Sequence, residues 1–351
     1  MKKATVFVAG SWGTALASVL ADNGLDVLLW TRSEGQAAEI NERRTNEKYV
    51  PGAKLAPNVR ATTRIDEAAA HGDLLLFVAP SSAMRDVARQ AKPYVRRGQL
   101  IVHATKGFEA DTLHRMSTVL EEEFAGTLEP GSVVVLSGPS HAEEVIQRSP
   151  TTVVVACARA ERAEAAQDAF ITPAFRVYTN PDIAGVELAG ALKNIIALGA
   201  GMSDGLGFGD NAKAALLTRG LAEIGRLGVA MGANPLTFAG LAGVGDLVVT
   251  CTSRHSRNWR AGYKLAEGTP LEEVLDSLGM VVEGVRTTKA AIALADRYGV
   301  ELPIAAQLHD VLFRGKDPRA AVEALMGRGR THEIEDIVRE AAATFRDPPA
   351  E

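Results

Sequence analysis

The sequence has few cysteines and no excess of positive charge. Its two cysteines, Cys157 and Cys251, each lie in an apolar setting, and we interpret them as buried free thiols in a reducing compartment rather than as catalytic thiols. The formal net charge of −5 gives no reason to expect nucleic acid or an anionic membrane as a partner. Any phosphate group that the protein binds must therefore meet a local positive site.

The sequence also lacks a recognisable targeting segment. The first residues, Met-Lys-Lys-Ala-Thr-Val-Phe-Val, lead directly into a strand pattern without the apolar region and cleavage site of a signal peptide. No apolar run is long and unbroken enough to indicate a membrane span. We therefore expect a cytoplasmic protein without membrane insertion.

What the chain does contain is an ordinary globular composition, with 46% hydrophobic and 23% charged residues, over 351 residues that suffice for two domains. Short β-rich runs alternate with helical stretches as far as residue 180, which predicts an α/β domain with a mostly parallel, doubly wound sheet. The predicted strands are 5–8, 27–30, 59–62, 74–78, 100–103, 133–136, 152–156 and 176–178. The predicted helices between them include 12–22, 33–44, 82–91, 112–124 and 162–170.

The second half of the chain has a different pattern. After residue 180 the β-branched runs stop, and alanine, leucine and glycine recur at helical spacing. We place the boundary at Asn180-Pro181, because a residue before proline disfavours helix and Asp182 suits a helix start. The sequence thus predicts a dinucleotide-binding domain over residues 1–180, an all-helical substrate domain over 181–345 and a frayed tail over 346–351.

The first βαβ unit carries glycines typical of a dinucleotide-binding turn. Gly10 would let the backbone approach a pyrophosphate, and Gly13 would let the helix pack on the strand. The first glycine of the G-x-G-x-x-G pattern is replaced by Val8, and we expect its backbone to lie in the β region, where a Cβ costs little. The unit predicts a Rossmann-type domain, although a plain turn between strand and helix would look similar.

The residues after the second predicted strand bear on the choice of dinucleotide. NAD-specific sites place a carboxylate there for the ribose 2′-hydroxyl, whereas this chain has Arg32 and Ser33. Arg32 can form charge-assisted hydrogen bonds to a 2′-phosphate, which favours NADP. Arg32 could equally be a solvated residue at a helix start, and Glu34 keeps NAD open.

Lys193 is the only charged residue between positions 188 and 203, in a stretch typical of a buried helix. Burial lowers the pKa of an ammonium group toward the range where it exchanges protons at neutral pH. A second apolar stretch, 227–253, has Asp246 as its single charge. Because buried charges need partners, we expect the two to be neighbours and Lys193 to be a candidate acid and base. A structural ion pair, or a Lys193 that extends to the surface, would also fit.

Three further segments suggest ligand contacts. Lys106 and Ser140 follow strands at the carboxyl edge of the predicted sheet, where open α/β sheets bind ligands. Ser140 and Glu143 also have the spacing of a capping box. After Asp246, the run Ser256-Arg257-Asn258 offers hydroxyl, guanidinium and amide donors suited to a phosphate group. A surface lysine, a simple helix cap and an exposed basic loop are the alternatives.

Together these motifs resemble those of bacterial NAD(P)-dependent glycerol-3-phosphate dehydrogenases, from about residue 5 to about residue 330. They are Gly-Ser-Trp-Gly-Thr-Ala-Leu-Ala at 10–17, Ala-Thr-Lys-Gly at 104–107, Leu-Ser-Gly-Pro-Ser at 136–140, Ala-Leu-Lys-Asn at 191–194, Asp-Asn-Ala-Lys-Ala-Ala at 210–215 and Ser-Arg-Asn at 256–258. The resemblance implies a Rossmann domain joined to a helical domain, as in 6-phosphogluconate dehydrogenase-like folds, and a homodimer. Departures are Val8 and His141, where the family commonly has glycine and phenylalanine.

The resemblance also implies site residues and no metal. The implied cofactor contacts are Gly10, Ser11, Trp12, Gly13, Arg32, Ser33, Tyr49, Lys106, Ala142, Arg257, Val281, Val282 and Glu283. The implied substrate contacts are Lys106, Gly138, Ser140, Lys193, Asp246, Ser256, Arg257 and Asn258. Lys193, Lys106 and Asp246 are the implied catalytic residues, with Lys193 transferring the proton.

The implied reaction is the reversible reduction of dihydroxyacetone phosphate, a small phosphorylated substrate, to sn-glycerol 3-phosphate. NADP is the preferred cofactor, NAD is the second, and the product would feed glycerophospholipid synthesis. Lys106 would add positive charge beside the reacting oxygen, Asp246 would hold Lys193, and Arg257 with Asn258 would bind the phosphate. Two alternatives stay open: a related β-hydroxyacid dehydrogenase, and an NADP-sensing Rossmann protein without turnover, for which Val8 is the hint.

Overall fold

A computed structural model describes residues 1–279, 281–329 and 333, and the chain divides into two compact units, Met1–Glu187 and Leu188–Glu351. The first unit is built on one eight-stranded sheet in the order β3-β2-β1-β4-β5-β6-β7-β8. Its strands are β1 Lys3–Phe7, β2 Asp26–Trp30, β3 Val59–Thr62, β4 Leu74–Phe77, β5 Leu100–His103, β6 Val134–Ser137, β7 Thr151–Ala156 and β8 Phe175–Asn180. Neighbouring strands run parallel except β6 and β7, which are antiparallel. The predicted mostly parallel sheet is confirmed, with every strand end within two residues of its predicted position.

The sheet of the first unit is buried on both faces. Successive side chains of a strand point to opposite faces, so Val6 and Leu76 join one hydrophobic cluster whereas Phe7 and Phe77 join another. The Phe7 and Phe77 rings stack with centroids 4.5 Å apart. The helices of this unit are α1 Ser11–Asp22, α2 Glu34–Arg43, α3 Ile65–His71, α4 Met84–Ala91, α5 Met116–Glu123, α6 Ala142–Ile146 and α7 Ala160–Phe170.

One helix of the first unit is shorter than predicted. The helical pattern of residues 112–124 yields α5, which begins only at Met116. Leu113 has a φ of +61°, and a left-handed residue cannot continue a right-handed helix. Phe108 and Arg115 instead form an isolated antiparallel bridge that closes the intervening turn.

The second unit is helical throughout its described residues. The first long helix begins in the last residues of the first unit and continues into the second, and the Gly185 N–H donates to Asp182 Oδ1 at 2.9 Å, so Asp182 precedes the helix start as expected. The helices are α8 Ile183–Gly205, α9 Asp210–Ala230, α10 Asp246–Thr252, α11 Arg257–Ala266, α12 Leu271–Leu278, α13 Glu283–Tyr298, α14 Pro303–Arg314 and α15 Pro318–Met326, with shorter helical turns at Pro235–Ala239 and Leu241–Gly245. The predicted tail, 346–351, lies outside the described residues.

Helix α8 is the longest helix among the described residues and is mostly buried. It is long and apolar enough to cross a membrane, yet 89% of its most apolar window is buried, as in the core helices of soluble proteins. A Cβ on Gly201 of α8 would lie 1.9 Å from Trp259 O of α11, and a Cβ on Gly262 would lie 1.9 Å from Leu198 O. The two helices therefore cross at backbone contact, which only glycine permits.

Candidate active site

The turn after β1 has an unexpected conformation at Val8. Its φ is +80°, in the left-handed region, so the expectation of a β conformation is wrong. The Val8 N–H donates to Trp30 O at 3.0 Å, which extends the pairing of β1 with β2 before the chain turns into α1. Glycine adopts this conformation without steric cost, whereas it is a genuine outlier for a β-branched residue.

The turn leads to a helix N-terminus suited to an anion. Gly10 caps α1 without a side-chain hydrogen bond, and the first turn contains no acidic residue. The first N–H groups of a helix lack intrahelical partners. Apart from Gly10 and its two chain neighbours, no described residue has an atom within 4 Å of where a Cβ of Gly10 would be, whereas a Cβ on Gly13 would lie 2.2 Å from Val8 O. Gly13 thus permits close packing, and Gly10 leaves open space beside the start of α1, where Ser11 and Trp12 are the first two residues of the helix.

A polar network behind this turn was missed by sequence reasoning. The Ala9 carbonyl accepts from Gln36 Nε2 at 2.6 Å and from Asn46 Nδ2 at 3.0 Å. Asn46 is fully buried and also donates to Thr14 Oγ1 at 2.8 Å. Thr31 Oγ1 donates to Gln36 Oε1 at 2.5 Å. These polar residues lie in separate elements of the chain, and no pattern in the sequence indicates that they contact one another.

The residues after β2 present a cation rather than a carboxylate. Arg32 is exposed, and no ion pair engages it among the residues that the structure describes. Ser33 caps α2 by accepting the Gln36 N–H at 3.3 Å. Glu34 accepts from Thr63 Oγ1 at 2.7 Å, which ties its carboxylate to the loop after β3. Tyr49 is half-buried, with the Lys48 ammonium 5.3 Å from its ring centroid.

The loops after β5 and β6 reach the same sheet edge as the α1 turn, because β1, β4, β5 and β6 run parallel. Lys106 is half-buried in the first loop. In the second, Gly138 has a φ of +137°, and Ser140 Oγ donates to Gly138 O at 3.0 Å. The predicted capping box of Ser140 and Glu143 is wrong, because α6 begins at Ala142, one residue too late for Ser140 to cap it.

The second unit joins Lys193 and Asp246 in a buried pair. Lys193 Nζ lies 2.9 Å from Asp246 Oδ1, and the two side chains are 5% and 2% exposed. The prediction that these two charges are neighbours is confirmed. Lys193 Nζ also donates to Thr250 Oγ1, which in turn donates to Asp246 O at 2.6 Å. Thr250 was missed, although its position one helical turn after Asp246 would have indicated it.

Asn258 is held beside Asn194, the residue after Lys193. Asn258 Nδ2 donates to Asn194 Oδ1 at 2.9 Å, and Asn258 Oδ1 accepts the Gly284 N–H at 2.8 Å. A Cβ on Gly284 would lie 2.6 Å from Asn194 O, so α13 meets α8 at close range. The side chain of Asn194 was not predicted to contribute.

The remaining predicted contacts of this unit lie at two helix starts. Ser256 caps α11 by accepting the Trp259 N–H at 3.2 Å, and the first turn of α11 has no acidic residue. Arg257 is exposed and donates to Val281 O at 3.2 Å. Val282 is buried and Glu283 half-buried at the start of α13. An uncompensated helix N-terminus with an arginine at its first position suits a phosphate.

The two cysteine thiols are not activated as nucleophiles. Burial raises the pKa of Cys251 to about 12 and also raises that of Cys157, so neither supplies a thiolate at neutral pH. Both are buried free cysteines, as predicted. Within the described part of the chain, no group of three or more His, Cys, Asp and Glu residues could hold a metal ion.

Comparison with known families and proteins gives a consistent result. Residues 3–163 match the family described as NAD-dependent glycerol-3-phosphate dehydrogenase N-terminus, and residues 182–323 match the corresponding C-terminus. A relative from Bacillus subtilis named glycerol-3-phosphate dehydrogenase [NAD(P)+] is 56% identical, covering 96% of this chain and 98% of its own length. One from Bacillus mycoides with the same name is 59% identical, covering 96% and 99%.

Solved structures agree with these matches. The fold is similar to glycerol-3-phosphate dehydrogenase from Coxiella burnetii, with a TM-score of 0.87 and 37% identity, covering 93% of this chain and 99% of that one. It is also similar to the glycerol-3-phosphate dehydrogenase of Saccharomyces cerevisiae, with a TM-score of 0.80 and 28% identity, covering 92% and 98%.

Proposed function

This chain belongs to the NAD-dependent glycerol-3-phosphate dehydrogenase family, and on that premise we propose that it interconverts dihydroxyacetone phosphate and sn-glycerol 3-phosphate with NAD(P)H. The observation that carries the proposal is the buried pair of Lys193 and Asp246, 2.9 Å apart, which places a fixed proton donor in an apolar helical core. Buried charged groups of this kind cluster at functional sites, which favours an enzyme over a catalytically silent Rossmann protein.

The first unit supplies the cofactor contacts in this proposal. The N-terminus of α1 would hold the pyrophosphate, and Arg32 would bind a 2′-phosphate. Arg32 is the first charged residue after β2, where NAD-specific sites place a carboxylate, so NADP is the preferred cofactor in this proposal. When bound, the dinucleotide supplies the hydride.

The second unit supplies the proton and the substrate-phosphate contacts. Lys193 donates a proton to the oxygen at C2, while Asp246 and Thr250 hold its ammonium group in one place. In this proposal Lys106 is the residue whose positive charge stabilises the developing alkoxide. Ser256, the Arg257 guanidinium and the start of α11 bind the phosphate, which orients the carbonyl. The guanidinium and the uncompensated start of α11 together suit a phosphate dianion.

We further propose a cytoplasmic homodimer that supplies glycerol 3-phosphate for glycerophospholipid synthesis. Several apolar side chains of the helical unit are exposed and would be covered by a second copy, namely Leu236, Val244 and Val248. Light scattering after size-exclusion chromatography tests the dimer, and a monomeric mass at micromolar concentration would contradict it.

The direct test of the activity is the decay of NADPH absorbance after dihydroxyacetone phosphate is added. We expect turnover with this substrate and none with unphosphorylated dihydroxyacetone, because the phosphate contacts are needed for orientation. A β-hydroxyacid dehydrogenase would oxidise hydroxyacids instead, and a silent sensor would bind NADPH without consuming it.

A further inference from the structure

Val8 is held in a conformation that its own side chain disfavours. Its φ of +80° is a strained state for a β-branched residue, and such states persist only where surrounding contacts impose them. The turn that contains it sets the direction in which the first N–H groups of α1 point. Whatever imposes the conformation of Val8 therefore also sets the geometry of the anion site.

The contacts that fix this turn converge on the next residue. The Ala9 carbonyl accepts two side-chain donors, Gln36 Nε2 at 2.6 Å and Asn46 Nδ2 at 3.0 Å, which we call the Asn46–Gln36 clamp. The two amides also bond to each other, Gln36 Nε2 donating to Asn46 Oδ1 at 3.1 Å. Asn46 is 0% exposed, so its amide has no access to bulk water as an alternative partner.

Asn46 also reaches the first turn of α1. Its Nδ2 donates to Thr14 Oγ1 at 2.8 Å, and that hydroxyl donates to Gly10 O at 2.8 Å. One buried amide thus connects the carbonyl that follows Val8 with the residue that caps α1.

We propose that Asn46 is a positioning residue for cofactor binding, which holds the strained Val8 turn in its dinucleotide-binding geometry. The inference rests on the proposed binding of NAD(P)H at this turn. Without the clamp, Val8 relaxes toward negative φ, and the N–H groups at the start of α1 turn away from the pyrophosphate. With glycine at position 8 the positive φ is inexpensive, and the clamp is dispensable for binding.

The test is a double-mutant cycle on NADPH affinity, measured by fluorescence titration of the full chain. Asn46→Ala should weaken NADPH binding about tenfold or more. In the Val8→Gly background the same Asn46→Ala change should weaken it by about threefold at most. This rescue distinguishes positioning from a general loss of structure, because a general loss would be as large in both backgrounds.

Asn58 provides the matched control at the other end of α1. Its Nδ2 donates to Ala21 O at 2.9 Å and Leu25 O at 2.8 Å, so Asn58→Ala removes two hydrogen bonds donated by a half-buried amide. We expect it to lower the thermal midpoint while leaving NADPH affinity unchanged. If Asn46→Ala fails to fold, Gln36→Ala is the substitute, because it removes the other donor of the clamp. Its loss of NADPH affinity should likewise be smaller in the Val8→Gly background.

The outcomes separate this inference from the proposed function. If the unmodified chain does not bind NADPH, the proposed function fails. If it binds and Asn46→Ala binds equally well, or if Val8→Gly gives no rescue, the positioning role is overturned and the proposed function stands.

Discussion

Lys193 of α8 and Asp246 of α10 form a buried ion pair with Nζ and Oδ1 2.9 Å apart. Removing one member leaves the other as an uncompensated buried charge, which costs about 3–5 kcal/mol of stability. Any test of Lys193 as the proton donor must therefore separate lost chemistry from lost stability.

Lys193→Met should lower turnover by about 10²-fold or more, the usual contribution of a positioned acid. NADPH binding should persist, because the proposed dinucleotide contacts lie mostly in the first unit. In the double variant Lys193→Met with Asp246→Asn, no buried charge is left unpaired. Its stability should therefore recover, while its turnover should not. Steady-state kinetics and thermal melts distinguish these effects. Near-normal turnover of Lys193→Met at saturating substrate would assign the donor to Lys106 instead.

Arg257→Ala should raise the KM for dihydroxyacetone phosphate by about 10- to 100-fold, the value of a charge-assisted hydrogen bond. Arg260→Ala, which removes an exposed arginine from the same helix α11, should leave KM unchanged. A KM shift of the same size in both variants would indicate a general electrostatic effect rather than phosphate binding.

Arg32→Ala should weaken NADPH binding by about 10- to 100-fold and NADH binding far less, since only NADPH carries the 2′-phosphate. Arg64→Ala removes an exposed arginine that is paired with Asp66 at 2.6 Å and serves as the control. Titration of each variant with NADPH and with NADH gives the two losses of affinity that are compared. Equal losses for the two cofactors would refute the assignment of Arg32 to the 2′-phosphate.

Val8→Gly should stabilise the protein by about 1 kcal/mol, because relief of backbone strain exceeds the added entropy of the unfolded chain. Ala9→Gly is the adjacent control: φ at Ala9 is not positive, so glycine there relieves no strain and should destabilise. Denaturant unfolding gives both values. A less stable Val8→Gly variant would show that the valine side chain contributes more by packing than it costs in strain.

Glu223 should make stability fall as pH rises. Burial raises its pKa to about 7 from the ordinary 4.5, although its carboxylate accepts the Ile304 N–H at 2.6 Å and the Ala305 N–H. The folded state therefore keeps a proton that the unfolded state releases between pH 4.5 and about 7, and the free energy of unfolding decreases across that window.

Glu223→Gln should remove this dependence. The free energy of unfolding of Glu223→Gln minus that of the unmodified chain should increase by up to about 3 kcal/mol as the pH rises from 4.5 to 7. This follows from about 1.4 kcal/mol per pKa unit. Glu267→Gln, at an exposed site, should follow the unmodified profile. Parallel pH profiles for the unmodified chain and Glu223→Gln would show that Glu223 does not titrate in this range.

Features encoded in local pattern were predictable. The eight strands, the glycine turn and the helical second half each follow from hydrophobic periodicity and turn residues within a few positions. The pairing of Lys193 with Asp246 was predictable across 53 positions because each is the single charge of an apolar segment and buried charges require partners. The prediction of a capping box at Ser140 is wrong because α6 begins one residue later than that pattern requires. Helix propensities do not define a helix start to within one residue.

The sequence by itself determined the alternation of strands and helices, the helix N-terminus that suits a phosphate, and which two charges had to meet. Only the tertiary structure decided the left-handed turn at Val8 and the place of Asn46, whose partners Ala9 and Thr14 lie more than 30 residues earlier in the chain. The contacts that the folded chain brings to a residue can override that residue's own φ preference. Buried hydrogen bonds of this kind join segments that are distant in the sequence, so no local sequence pattern predicts them.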